Sequence, residues 1–93
     1  MHLRISENVV FRDLAGEVVL LNLATGAYFG LDLVGTRVWQ LIGEHGATET
    51  VLEALLAEYE VEEETLRSDV DALIRALLEK GLLTNDAQNK TVG

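Results

Sequence analysis

Cysteine is absent from this chain of 93 residues, which excludes disulfide bonds, thiolate zinc sites and cysteine nucleophiles. The sequence also lacks any apolar run near the ~20 residues that a membrane span needs. Residues 1–7 have neither the basic start nor the long apolar core of a signal peptide. We therefore expect a cytoplasmic protein without a membrane partner.

Side chains that support catalysis are scarce. Ser6 and Ser68 are the only serines, and neither lies in a Gly-x-Ser-x-Gly turn. His2 and His45 have no second ligand at metal spacing. The acidic run at residues 62–64 is typical of an exposed first helical turn rather than of an acid–base pair. We expect a protein that is not an enzyme and that has no metal site and no cofactor.

Negative charge is concentrated in the second half of the chain. Residues 44–80 contain eleven Asp or Glu and three Lys or Arg, so they carry −8 of the net charge of −9. Duplex DNA and anionic membranes attract clustered Lys and Arg, so this distribution argues against both as partners. A basic peptide is a more suitable partner.

Composition predicts one folded domain, since 48% of the residues are hydrophobic and 25% are charged. We assign residues 1–83 to this domain, with Leu82 and Leu83 folding back onto its core. Residues 84–93 are polar and uncapped, and we expect them to form a flexible C-terminal tail.

Three apolar runs at residues 9–14, 17–23 and 27–31 predict β-strands. Short turns with glycine, at residues 15–16 and 24–26, separate them. Loops of this length join antiparallel neighbours, because a parallel pair needs a crossover of about a dozen residues or more. The pattern predicts a β-meander in which adjacent Tyr28 and Phe29 point to opposite faces, one of them into the core.

The first two helices follow the meander. Apolar residues recur at helical spacing from Val34 to Ile42, with Trp39 as a core anchor and Gly43 or Gly46 as the end. For the second helix the sequence favours Thr48 or Thr50 as the N-cap, with Glu53 as capping-box partner of Thr50.

The third helix is the longest, with one apolar stripe from Leu66 to Leu78 and an end at Lys80 and Gly81. Arg67 with Asp71, and Asp71 with Arg75, stand four residues apart and predict surface ion pairs. The order of strands and helices makes the fold class α+β.

Two segments carry a family resemblance. Residues 20–32 read LLNLATGAYFGLD and residues 35–42 read GTRVWQLI. Their order and spacing resemble the PqqD family, and the likeness extends over about residues 9–83. Asp32 departs from the pattern, since asparagine is common there.

The resemblance implies a winged helix-turn-helix-like fold, a three-stranded antiparallel β-meander followed by three α-helices. It also implies a recognition element for ribosomally synthesised and post-translationally modified peptides (RiPPs), which holds a precursor's leader segment as an extra strand along the third strand, beside the third helix. Gly30 would admit close approach of the peptide, Asp69 and Arg75 would lie at the rim, and at least two apolar helix residues would be wholly internal. The implied leader-binding residues are Ala27, Tyr28, Phe29, Gly30, Leu31, Asp69, Val70, Leu73, Ile74 and Leu77.

Among PqqD-like proteins, the chain resembles the freestanding versions of lasso-peptide biosynthesis, where a separate leader peptidase and a cyclase act on the bound precursor. A peptide chaperone of pyrroloquinoline-quinone or of another RiPP pathway is an alternative. A homo-oligomerisation module is another, because the third-strand edge could pair with its own copy. A winged-helix DNA-binding module is the third, and the acidic third helix opposes it.

Overall fold

The computed structural model describes residues 1–85. Along the chain the elements are β1 (Leu3–Ile5), β2 (Val9–Leu14), β3 (Glu17–Asn22), β4 (Tyr28–Gly30), α1 (Leu33–His45), α2 (Thr48–Glu58), α3 (Glu63–Glu79) and β5 (Leu83–Asn85). The predicted α+β class, a meander followed by three helices, is confirmed.

The meander is an antiparallel sheet in the order β2-β3-β4, so β2 and β4 are its two edges. Ala15 and Gly16 form the first turn with φ of 58° and 90°, and the Asp13 carboxylate accepts the Gly16 N–H at 2.8 Å. These left-handed values suit a two-residue hairpin turn.

Asn22 organises the second turn and joins it to the end of α3. Its side-chain oxygen accepts the Ala24 N–H at 2.9 Å, and its side-chain nitrogen donates to the Gly81 carbonyl at 3.0 Å. The side chain is buried, so these bonds offset the free-energy cost of removing a polar group from water.

A second, two-stranded sheet pairs β1 with β5 and was missed by the sequence reasoning. Thr84 and Asn85, assigned there to the tail, lie in β5 opposite Arg4 and Leu3. Three-residue strands are too short to show a period. Leu3 and Leu83, one from each strand, are both buried. Residues 86–93, the rest of the predicted tail, lie outside the described residues.

Helix α1 begins at an Asp32 cap, whose carboxylate accepts the Gly35 N–H at 2.7 Å, and ends at Gly46 with φ of 79°. The predicted capping box of α2 is wrong, because Ala47 is the N-cap and no side chain bonds there. The Met1 carbonyl accepts the Thr48 N–H at 3.0 Å instead, so the N-terminal segment satisfies the start of α2.

Helix α3 carries Glu63 and Glu64 in its first turn and ends at Lys80, as predicted. Asp71 pairs with Arg75 at 3.0 Å, which confirms one predicted ion pair. The pair of Arg67 with Asp71 is wrong. Arg67 lies 3.1 Å from Glu63 and 3.0 Å from Glu49 of α2, because bridging two carboxylates on two helices satisfies more of its donors.

The core lies between the inner face of the β2-β3-β4 sheet and the three helices. Trp39 is 4% exposed, so its predicted role as a core anchor is confirmed, as is the burial of Leu82 and Leu83. Among the helices of residues 1–85, none combines the length and the apolar character that crossing a membrane requires.

Candidate functional site

An open groove of about 590 Å³ lies between β4 and α3. Its lining comes from β4, the start of α1, the α2–α3 connection and one face of α3: Phe29, Gly30, Leu31, Asp32, Val34, Gly35, Val38, Tyr59, Val61, Thr65, Leu66, Asp69, Val70 and Leu73. Apolar side chains predominate in this set, so the groove suits an apolar ligand segment.

Helical spacing places five α3 residues on the groove. Thr65, Leu66, Asp69, Val70 and Leu73 fall at i, i+1, i+4, i+5 and i+8, which is one helical face. Leu66 and Val70 are buried at its floor, whereas Thr65 and Asp69 are exposed. The α3 wall therefore has an apolar base and a polar, negatively charged rim.

Strand β4 forms the opposite wall. Phe29 pairs with buried Leu20 and packs against the core, whereas Tyr28 is 71% exposed on the outer face. The prediction that one of these two aromatic residues enters the core is confirmed. Leu31 is buried directly after the strand and continues the apolar lining.

A third wall, formed by Tyr59 and Val61 between α2 and α3, was missed by the sequence reasoning. Arg37 of α1 holds it in place through hydrogen bonds to the Glu58 carboxylate, from Nε at 2.9 Å and 3.2 Å and from Nη2 at 2.7 Å. These bonds lower the pKa of Glu58 below its usual range. The pair fixes the end of α2 against α1 beside the groove.

The backbone of β4 is only partly used by the sheet. The Ala27 carbonyl accepts the Asn22 N–H at 2.8 Å, and the Leu31 N–H donates to the Val18 carbonyl at 2.8 Å. In an antiparallel ladder, alternate residues direct both backbone groups to the same neighbour. Ala27, Phe29 and Leu31 therefore face β3, and the N–H and C=O groups of Tyr28 and Gly30 face the open edge beside the groove.

Six of the ten residues expected to bind a leader line the groove: Phe29, Gly30, Leu31, Asp69, Val70 and Leu73. The other four do not. Ala27 directs its carbonyl to β3, and Tyr28 presents its side chain to the outer face. Ile74 and Leu77 are 3% and 0% exposed and belong to the core, because their part of the α3 stripe faces away from β4.

Of the two charged residues predicted for the rim of the groove, only one lies there. Asp69 lies on the rim, but Arg75 is bound to Asp71 away from the groove. Asp32 also lines the groove, with one oxygen committed to the Gly35 N–H. Within residues 1–85, the His, Asp and Glu side chains form no cluster of three that could hold a metal ion.

Comparison with known proteins gives one family and two solved structures. The family model of coenzyme PQQ synthesis protein D (PqqD) matches residues 17–83. The structure of TbiB1 in complex with the TbiA(beta) leader peptide is 45% identical, covers 88% of this chain and 95% of that chain, and has a TM-score of 0.82. The structure of lasso peptide synthetase B1 complexed with the leader peptide is 25% identical, covers 91% of this chain and 100% of that chain, and has a TM-score of 0.80. No curated protein matches the chain.

Proposed function

Because this chain belongs to the PqqD family, we propose that it is a non-catalytic domain that binds the leader segment of a ribosomally synthesised precursor peptide. The leader adds to the sheet as a strand along β4 and inserts side chains into the groove between β4 and α3. The two similar structures are both of proteins bound to a leader peptide, which supports this assignment.

One observation carries the proposal: the open backbone edge of Tyr28 and Gly30 lies directly beside an apolar groove. An extended peptide needs both features, since backbone hydrogen bonds give affinity for any sequence and side-chain pockets give selectivity. A leader residue opposite Phe29 shares its face of the sheet and points into the groove. Val70 and Leu73 would contact that side chain from α3.

Delivery to a leader peptidase and a cyclase of lasso-peptide biosynthesis is the finer proposal. Support comes from the similar protein described as lasso peptide synthetase B1. A leader held at β4 leaves the outer face of the sheet open to a partner enzyme, and Val10 and Tyr28 expose apolar surface there. The role of a peptide chaperone for pyrroloquinoline-quinone or another RiPP pathway is the alternative, since the matching family model is that of PqqD.

The two rival functions find less support. As a DNA-recognition helix, α3 would bring the carboxylates of Glu63, Glu64 and Asp69 close to DNA phosphates, and these like charges repel one another. Self-association through β4 would need the same edge as the leader, so it competes with leader binding. Sizing the purified protein at several concentrations, with and without leader, separates that case.

The decisive experiment is a fluorescence-anisotropy titration of a labelled leader from the precursor gene beside this one. A scrambled leader is the peptide control. Gly30→Pro is the protein variant, because proline removes an N–H that faces the open edge without removing a β3–β4 hydrogen bond. We expect saturable binding that the variant weakens strongly while its circular-dichroism spectrum stays unchanged. Equal binding of the scrambled leader, or unchanged binding by Gly30→Pro, would contradict strand addition at β4.

A further inference from the structure

Gly30 leaves a bare position on the outer face of the sheet, the face opposite the groove. Val19 is its partner on β3, and Arg12 is the partner of Val19 on β2. The next row of the same face contains Leu21 and Tyr28. A Cβ atom added at Gly30 would meet nothing within 4 Å, so the outer surface of β4 is open there.

A leader strand on β4 presents side chains to both faces of the sheet. The residue opposite Phe29 points into the groove, so the residues opposite Tyr28 and Gly30 point to the outer face. The first of these two meets the exposed Tyr28 ring. The second meets no β4 side chain, and the half-buried Val19 lies one strand further on.

We propose that Gly30 forms a second specificity subsite, which takes a large apolar or aromatic side chain from the leader residue directly opposite it. The inference rests on the proposed strand addition at β4. A large side chain on a neighbouring strand covers the exposed backbone of an edge glycine. Although no β4 side chain lies directly across from it here, it is long enough to reach Val19 on the next strand and Tyr28 diagonally along β4. This subsite differs from the groove, because it lies on the other face of the same strand.

The two subsites together fix the register of the leader. Moving the leader by one residue along β4 exchanges its inward and outward side chains. A leader with one apolar residue for the groove and an adjacent large residue for Gly30 therefore has one favourable position. The recognised pattern is a pair of large side chains on adjacent leader residues, one for each face.

The test is a double-mutant cycle with Gly30→Val, which keeps the N–H and fills the bare position with a branched side chain. Each residue of the leader encoded beside this gene is replaced by alanine, and Kd is measured with both proteins. We expect Gly30→Val to weaken the native leader roughly fivefold, the upper range of a cross-strand pair. At one leader position, alanine should weaken binding to the wild type by about the same factor. The same alanine should cause no further loss of affinity for Gly30→Val.

Arg12→Val is the matched control, since it changes the same face on β2, two strands from β4, and should leave Kd unchanged. Equal affinity of Gly30→Val and the wild type, or alanine effects that are identical in both proteins, would overturn the second subsite while leaving the leader-binding function intact. A wild-type protein that binds no leader would overturn both.

Discussion

The two edges of the sheet differ in length, in charge and in what lies beside them. Strand β2 has six residues and β4 has three, so length alone favours β2. However, β2 carries Arg12 and Asp13, and its Phe11 remains 62% exposed although it shares a face with buried Leu20. Strand β4 carries no charge and has the groove beside it.

An open edge needs a neighbouring pocket to become a binding site. Charged side chains on an edge strand are a common protection against unwanted pairing, and Arg12 and Asp13 occupy that position on β2. The β2 edge is therefore protected against strand pairing by its charges, whereas the β4 edge is uncharged and lies beside the groove.

The largest expected effect comes from placing proline on each edge. The Leu23 N–H bonds to the Asn8 carbonyl, so alternation along β2 directs the Phe11 N–H to the open edge, as it does for Gly30 on β4. Gly30→Pro leaves a carbonyl of the leader without its donor, which costs about 1–3 kcal/mol, so Kd should rise roughly 5- to 150-fold. Phe11→Pro should leave Kd within about twofold, since no leader pairs there. An equal loss in both variants, measured by anisotropy, would place the leader elsewhere or show general unfolding.

The next largest effect comes from removing an apolar side chain from the groove, compared with removing one from β2. Leu73 is half-buried and lines the groove, so Leu73→Ala removes apolar contact with the leader. We expect Kd to rise roughly five- to tenfold, about 1–1.4 kcal/mol of apolar burial. Phe11→Ala removes a larger side chain from the other edge and should not change Kd. Calorimetric titration of both variants checks this, and a larger loss for Phe11→Ala would reverse the comparison.

A smaller effect concerns charge at the rim. Asp69 is exposed beside the groove, and an acidic rim should accelerate the encounter with a basic leader. Asp69→Asn should lower the association rate roughly twofold at low salt, with a smaller difference at physiological salt because of screening. Stopped-flow measurements with Asp71→Asn as control test this, since Asp71 is bound to Arg75 away from the groove. A rate that is independent of salt in the native protein would refute the charge argument.

The smallest effect concerns the Arg37–Glu58 pair, which joins α1 to the end of α2 beside the groove. Hydrogen bonds from Arg37 lower the pKa of Glu58 in the folded protein. The stabilisation is therefore complete above the unfolded pKa of glutamate, about 4.3, and is lost as the pH falls through the lower, folded value. Glu58→Gln should lower the urea midpoint slightly at pH 6 and should converge with the native protein toward pH 2. A difference that grows as the pH falls would contradict the assignment.

Much of the fold follows from local patterns in the sequence. Glycine turns separated the meander strands, short loops made them antiparallel, and adjacency placed Tyr28 and Phe29 on opposite faces. All three predictions are confirmed, because each depends on residues that are neighbours in the chain. The β1–β5 sheet was missed because its strands are three residues long and lie far apart in sequence.

The groove was only partly predictable for a similar reason. The α3 stripe from Leu66 to Leu78 is apolar throughout, so the sequence alone could not divide it between the groove and the core. Leu73 lines the groove whereas Ile74, one residue later, is buried away from it. The wall of Tyr59 and Val61 depends on how α2 meets α3, which local sequence does not specify. The resemblance indicated where the candidate site lies, and the structure shows which residues line the groove there.

The bond from Asn22 to Gly81 has a thermodynamic consequence. It joins the turn before β4 to the end of α3, so the two walls of the groove are already connected in the free protein. Most of the conformational entropy lost on association then comes from the leader, at about 1–2 kcal/mol for each backbone residue that becomes fixed. Between two leaders with the same contacts, the one that is more extended before binding loses less entropy and binds more tightly.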